Sequence, residues 1–138
     1  MKIEDIKKDI LNKSKKAVFY TEADIYDTMN AIVRDFYGEY TPVEYIRTGQ
    51  LSGSLMQKNM GLSASVYFDP SVLNYSNPAL GQSGVWHEAN LSGGEVLNMA
   101  MQGSHGGYIQ GTPIWSSGMA QLGDIKGLLI KNLKATGL

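Results

Sequence analysis

The chain has 138 residues, no cysteine and a formal net charge of −1 at pH 7. That length supports one domain with a core of its own. The missing cysteines exclude a disulfide framework, thiolate catalysis and any Cys-ligated metal. The charge balance argues against a dedicated nucleic-acid binder, which needs a strong positive field.

Charge is also unevenly spread. Six lysines lie in residues 1–16 against Glu4, Asp5 and Asp9, whereas residues 48–123 carry only Lys58, Asp69, Glu88 and Glu95. Such depletion marks the cores of subunit interfaces, and it also marks a neutral polar surface with long loops; both readings stand. The first residues, Met1-Lys2-Ile3-Glu4-Asp5-Ile6, are charged and periodic, unlike the basic flank and apolar run of an export leader. No apolar stretch approaches the ~18 residues of a membrane span. The expectation is a chain with neither a cleaved leader nor a membrane segment.

Residues 2–39 read as helix. Ile25, Met29, Ile32, Val33, Phe36 and Tyr40 recur at three- and four-residue steps and form one apolar stripe, which Ile3, Ile6, Ile10 and Leu11 continue more weakly. Ala17-Val18-Phe19-Tyr20-Thr21 is poor helix-forming material, and Thr21 can cap a second helix. The segment is therefore one long helix or two with a break near residues 19–22. Gly38 and Pro42 end it. Gln50 to Gln57 can make two helical turns, weakened by Gly53. Leu62 to Asp69 alternates, with Leu62, Ala64, Val66 and Phe68 on one side, which is a strand signal.

Residues 70–86 read as a long loop with room for one short strand. Glu88 to Met101 reads as helix, with an alternative start near Ser92 because of Gly93-Gly94. Gly103-Ser104-His105-Gly106-Gly107 closes it, and 107–123 reads as a second long loop with one strand at Tyr108-Ile109. Asp124 to Ala135 is a terminal helix with the stripe Ile125, Leu128, Leu129 and Leu133. The class expected is α+β: a long N-terminal helix packed on a small antiparallel sheet, with central and C-terminal helices and long loops. One domain spans 1–138, with 1–39 a helical arm and 40–138 an α+β body.

Catalytic constellations are sparse. His87-Glu88 opens like a zinc-protease motif, but the second histidine would fall at Leu91. His87 and His105 with a carboxylate have no ligand spacing between them. Gly81-Gln82-Ser83-Gly84-Val85 lacks the last glycine of a nucleophile elbow, and no phosphate-binding glycine pattern exists. No metal, no cofactor and no catalysis are expected. Tyr37, Tyr40 and Tyr45 flank Pro42, where tyrosines pin a loop through ring burial and a hydroxyl hydrogen bond. Trp86 and Trp115 fall in predicted loops and suit an interface as well as a core. The N-terminal lysines suit a solvated face, or a contact with DNA or an acidic partner.

Arg47-Thr48-Gly49 reads as a junction. Gly49 can take a positive φ, Thr48 can cap the short helix after it, and Arg47 can hold a carboxylate bidentately. Gly49→Val is therefore expected to harm folding more than Gly93→Ala, since alanine improves on glycine inside a helix.

Tyr37-Gly38-Glu39-Tyr40-Thr41-Pro42-Val43-Glu44-Tyr45-Ile46-Arg47-Thr48-Gly49-Gln50-Leu51-Ser52-Gly53-Ser54-Leu55 resembles the signature of small neck proteins of long-tailed bacteriophages, the tail-completion or head–tail joining proteins. The shared pattern is tyrosines around a proline, then Arg-Thr-Gly-x-Leu-x-x-Ser. Gly103-Ser104-His105-Gly106-Gly107 is similar to a Gly-x-His-Gly element of the same proteins. Ser52 and Gly53 stand where that family often has basic residues, and Tyr75-Ser76 departs from its Tyr-Ala pattern.

The resemblance implies a non-enzymatic virion subunit made in the host cytoplasm. It implies a homo-oligomeric ring, expected to be a hexamer, that joins connector or adaptor proteins to tail-tube or terminator proteins. DNA would pass through the lumen without specific recognition. The interface candidates under this reading are Tyr40, Pro42, Tyr45, Arg47, Thr48, Gly49, Trp86, His105 and Trp115. A tail terminator or other minor tail protein is the alternative, and a small metal-dependent hydrolase using His87 and His105 is a third.

Overall fold

The computed structural model describes residues 2–39, 50–73, 78–80, 86–88, 93–106 and 109–138. The architecture is α+β, as expected. A 36-residue helix, α1 (Ile3–Gly38), packs on an antiparallel strand pair and on two C-terminal helices. The remaining elements in chain order are α2 (Gln50–Gly53), β1 (Leu55–Asn59), β2 (Ala64–Phe68), β3 (Pro78–Leu80), β4 (Trp86–Glu88), α3 (Gly93–Met101), β5 (Ser104–Gly106), β6 (Ile109–Gln110), α4 (Ile114–Leu122) and α5 (Ile125–Ala135). Among the described residues the strands form three antiparallel pairs: β1–β2, β3–β4 and β5–β6.

No break occurs near residues 19–22. Thr21 lies mid-helix and caps nothing; its hydroxyl donates to the Ala17 carbonyl at 2.8 Å. Asn132 on α5 in turn donates to Thr21 Oγ1 and to Asp24 Oδ2, each at 3.0 Å. Packing against α5 thus holds in helix a β-branched and aromatic run that would be marginal alone. At the start of α1, Asp5 accepts the Lys2 backbone N–H at 3.2 Å, and Glu4 and Asp5 suit the positive end of the helix dipole.

The core gathers Ile32, Val33 and Phe36 of α1 with Leu51, Leu73, Val96, Ala100 and Ile114. The stripe read from sequence is therefore the buried face over the C-terminal half of α1.

Residues 55–59 are strand, not the second turn of a helix. Ser54 ends α2: its hydroxyl donates to the Leu51 carbonyl at 2.6 Å. The chain then pairs back on itself with Leu55 opposite Phe68 and Asn59 opposite Ala64. Met60 N donates to Ser63 O at 2.8 Å, and Gly61 has φ +89. Glycine with positive φ at the first of two central positions is what a tight hairpin turn requires. Leu62 sits at this tip, 57% exposed, and lines one groove with Ala64 and Val66 of β2 and with Ile125 and Leu129 of α5, on the side expected of it.

After β2, Asp69 accepts Ser71 N at 2.9 Å and Ser71 Oγ at 2.7 Å, and caps a 3-10 turn at Pro70–Val72. The Ser71 hydroxyl and then its N–H hold the Asp69 carboxyl below the ordinary carboxylate range. The cap contributes fully above that range and is lost as pH falls from there through the lowered value of Asp69.

The C-terminal half settles one alternative and departs from the expected loops. α3 begins at Gly93, in line with the later of the two expected starts, and Glu88 belongs to β4. Residues 114–122 are helix rather than loop. The serines and glycine of Ile114-Trp115-Ser116-Ser117-Gly118 are weak helix formers, yet Ile114 and Gly118 are both buried on the face toward α1. Glu39 at the end of α1 accepts Thr112 N at 2.8 Å and Thr112 Oγ1 at 2.8 Å, which ties the approach to α4 onto α1.

α5 starts as read from sequence, with the Asp124 carboxylate accepting Lys126 N at 3.1 Å. Asp124→Ala is expected to cost about 1 kcal/mol and to lower the thermal midpoint by roughly 4 °C. Circular-dichroism melting checks this, and an unchanged midpoint would show that the cap contributes nothing.

Candidate functional site

Six of the residues singled out in the sequence, Tyr40, Pro42, Tyr45, Arg47, Thr48 and Gly49, lie outside the described residues, as does the tip of the glycine loop at 107. The described ends of the signature are joined. The Tyr37 hydroxyl accepts Ser52 N at 3.2 Å, so Tyr37 is a loop pin of the kind expected. Leu51, Ser54 and Leu55 are buried, and Tyr37 packs against the cluster that holds Leu51. Trp86 lies in β4, opposite Leu80, and His105 lies in β5. Trp115 is on α4, not in a loop, and is 47% exposed. Among the described residues, no three His, Asp or Glu side chains converge as a metal site.

Exposed apolar side chains concentrate on α1. Ile3, 71% exposed, Ile6 and Ile10 fall within a narrow arc of the helix at three- and four-residue spacing, with Leu11 beside them and Phe19, 55% exposed, and Tyr20 further along. This arc continues the face that buries Ala17 and Thr21 where α5 runs alongside. The turn after α5 lies near Lys13, whose ammonium is 3.7 Å from where a Cβ on Gly137 would lie. Among the described residues, 3–12 thus form an exposed arm beyond the stretch of α1 that α5 covers, about 15 Å long at 1.5 Å per residue.

A second surface lies on another face of α1. A groove of about 420 Å³ runs between α1 and β1, lined by Phe19, Glu22, Ala23, Tyr26, Asp27, Gln57 and Asn59. Glu22 is 5% exposed. Asn59 Nδ2 donates to its Oε2 at 3.3 Å, while Oε1 is buried with no hydrogen-bond partner among the described residues. Sequence reading passed over Glu22, although the signal was present: it lies three and seven residues before Ile25 and Met29, in step with the apolar stripe. A carboxylate in that register must be buried, paired or functional.

Comparison with known proteins found no matching family model, curated relative or solved structure. No helix among the described residues is long and apolar enough to cross a membrane.

Proposed function

We infer that this chain is a structural subunit of a tailed phage or prophage virion. It sits at the head–tail junction, where copies form a ring that joins connector to tail around the DNA channel. The observation that carries the reading is the run from Tyr37 to Leu55, with Arg-Thr-Gly-x-Leu-x-x-Ser intact at 47–54. The exposed apolar side chains of α1 support it, because contiguous apolar surface on a small domain marks a contact with another protein. The charge-poor body from 48 to 123 suits contacts that are made once and held, where unpaired charge would be costly.

A joining part acts by matching two surfaces, so its loss removes an interface and blocks no chemical step. Lysates of a phage lacking the gene are expected to hold DNA-filled or leaking heads beside separate, finished tails, as seen by negative-stain microscopy. Free tails of abnormal length would transfer the protein to the tail terminus. Normal infectious particles would overturn the structural reading.

A further inference from the structure

We propose that the N-terminal arm of one copy docks in the α1–β1 groove of the next, with Lys7 of the arm answering the buried carboxylate of Glu22. The proposal rests on the reading that copies of this chain assemble, and adds which surfaces meet.

Glu22 supplies the first argument. One oxygen of this carboxyl group is buried without a hydrogen-bond partner among the described residues, an arrangement that costs free energy until a donor is supplied. Asp27 lines the same groove, so the site is doubly acidic, and the exposed Phe19 ring gives it an apolar wall. Its complement is a cation carried beside apolar side chains.

The arm has that composition. Residues 2–16 hold six lysines against three acidic residues. Lys7 is four residues after Ile3 and three before Ile10, and so flanks the exposed isoleucine arc. Its ion pair with Glu4, at 3.5 Å, joins two side chains that are 69% and 82% exposed. Such pairs contribute little and exchange readily.

The arm cannot serve its own groove. α1 is unbroken, so the fifteen residues from Lys7 to Glu22 separate them by about 22 Å along the axis. Arm and groove on one rigid helix can meet only between copies. Because the two surfaces differ, the contact is heterologous, and its repetition closes a ring or extends a chain.

The absence of native cysteine makes the test direct. In the full-length chain, Glu4→Cys on the arm and Gln57→Cys at the groove rim are combined and treated with a short bis-maleimide, both in purified protein and in assembled particles. The expected result is a ladder of dimer, trimer and higher species that needs both cysteines. Adding Lys7→Glu, or separately Glu22→Gln, is expected to abolish it. Lys7→Glu lies on the exposed arm and leaves the core untouched, so it stays informative if the Glu22 variant folds poorly.

A ladder that survives both charge changes would overturn the docking. So would no ladder in either preparation. If light scattering or the particle still shows a defined oligomer in that case, the arm-to-groove contact fails while the ring reading stands.

Discussion

Gly118→Leu is expected to cost about 3 kcal/mol, near the upper end of ordinary overpacking, and to lower the thermal midpoint by roughly 10 °C. α4 crosses α1 with Gly118 against Met29. A Cβ placed on Gly118 would be driven into Met29 Sδ and Cε. Methionine usually yields to such pressure by changing rotamer, but Met29 is fully buried and has no solvent side to retreat to. A leucine must therefore push α4 off α1, which also strains Ile114 one turn earlier and the Glu39–Thr112 bonds at the start of α4. Gly118→Ala should show a smaller loss in the same direction. A Gly118→Leu midpoint within a degree or two of the parent would mean that the two helices do not meet at this point.

Gly93→Ala is expected to be destabilising by about 2 kcal/mol or more, which reverses the expectation drawn from helix propensity. Propensity credits alanine with up to about 1 kcal/mol over glycine inside a helix. The first turn of α3, however, lies directly on the backbone of the 3-10 turn. A Cβ on Gly93 would meet the carbonyl oxygen of Pro70 head-on and come within 3.0 Å of the Leu73 carbonyl oxygen. These are main-chain atoms, which cannot rotate away as a side chain can, so α3 or the 70–73 segment must move. Leu73 and Val96, both in the core, would move with them. Gly38→Ala is the matched control: Gly38 is the last residue of α1, with open space where its Cβ would go. Its midpoint should stay level or rise while that of Gly93→Ala falls by roughly 6 °C or more. Equal midpoints would remove α3 from the surface of the 3-10 turn.

Local chemistry was sufficient to read several elements. Ile25, Met29, Ile32, Val33 and Phe36 announce a buried helical face by spacing alone, and Ala64, Val66 and Phe68 announce a half-buried strand. Asp124 announces a helix start because its carboxylate can reach the N–H two residues on, and does. Elsewhere local chemistry was outweighed by contacts distant in sequence. The Phe19–Thr21 run stays helical because α5 lies alongside it. Residues 114–122 fold as helix because α1 buries Ile114 and Gly118. Leu55–Asn59 becomes strand because β2 pairs with it.

The candidate site divides the same way. The Tyr37-to-Leu55 signature and the lysine-rich first turns are properties of the sequence itself. That Glu22 is buried with one oxygen unpartnered among the described residues, beside Asp27 and Asn59 and out of reach of its own arm, was decided by tertiary structure. The burial of a carboxylate depends on which strand covers the helix face, and β1 lies more than thirty residues away along the chain.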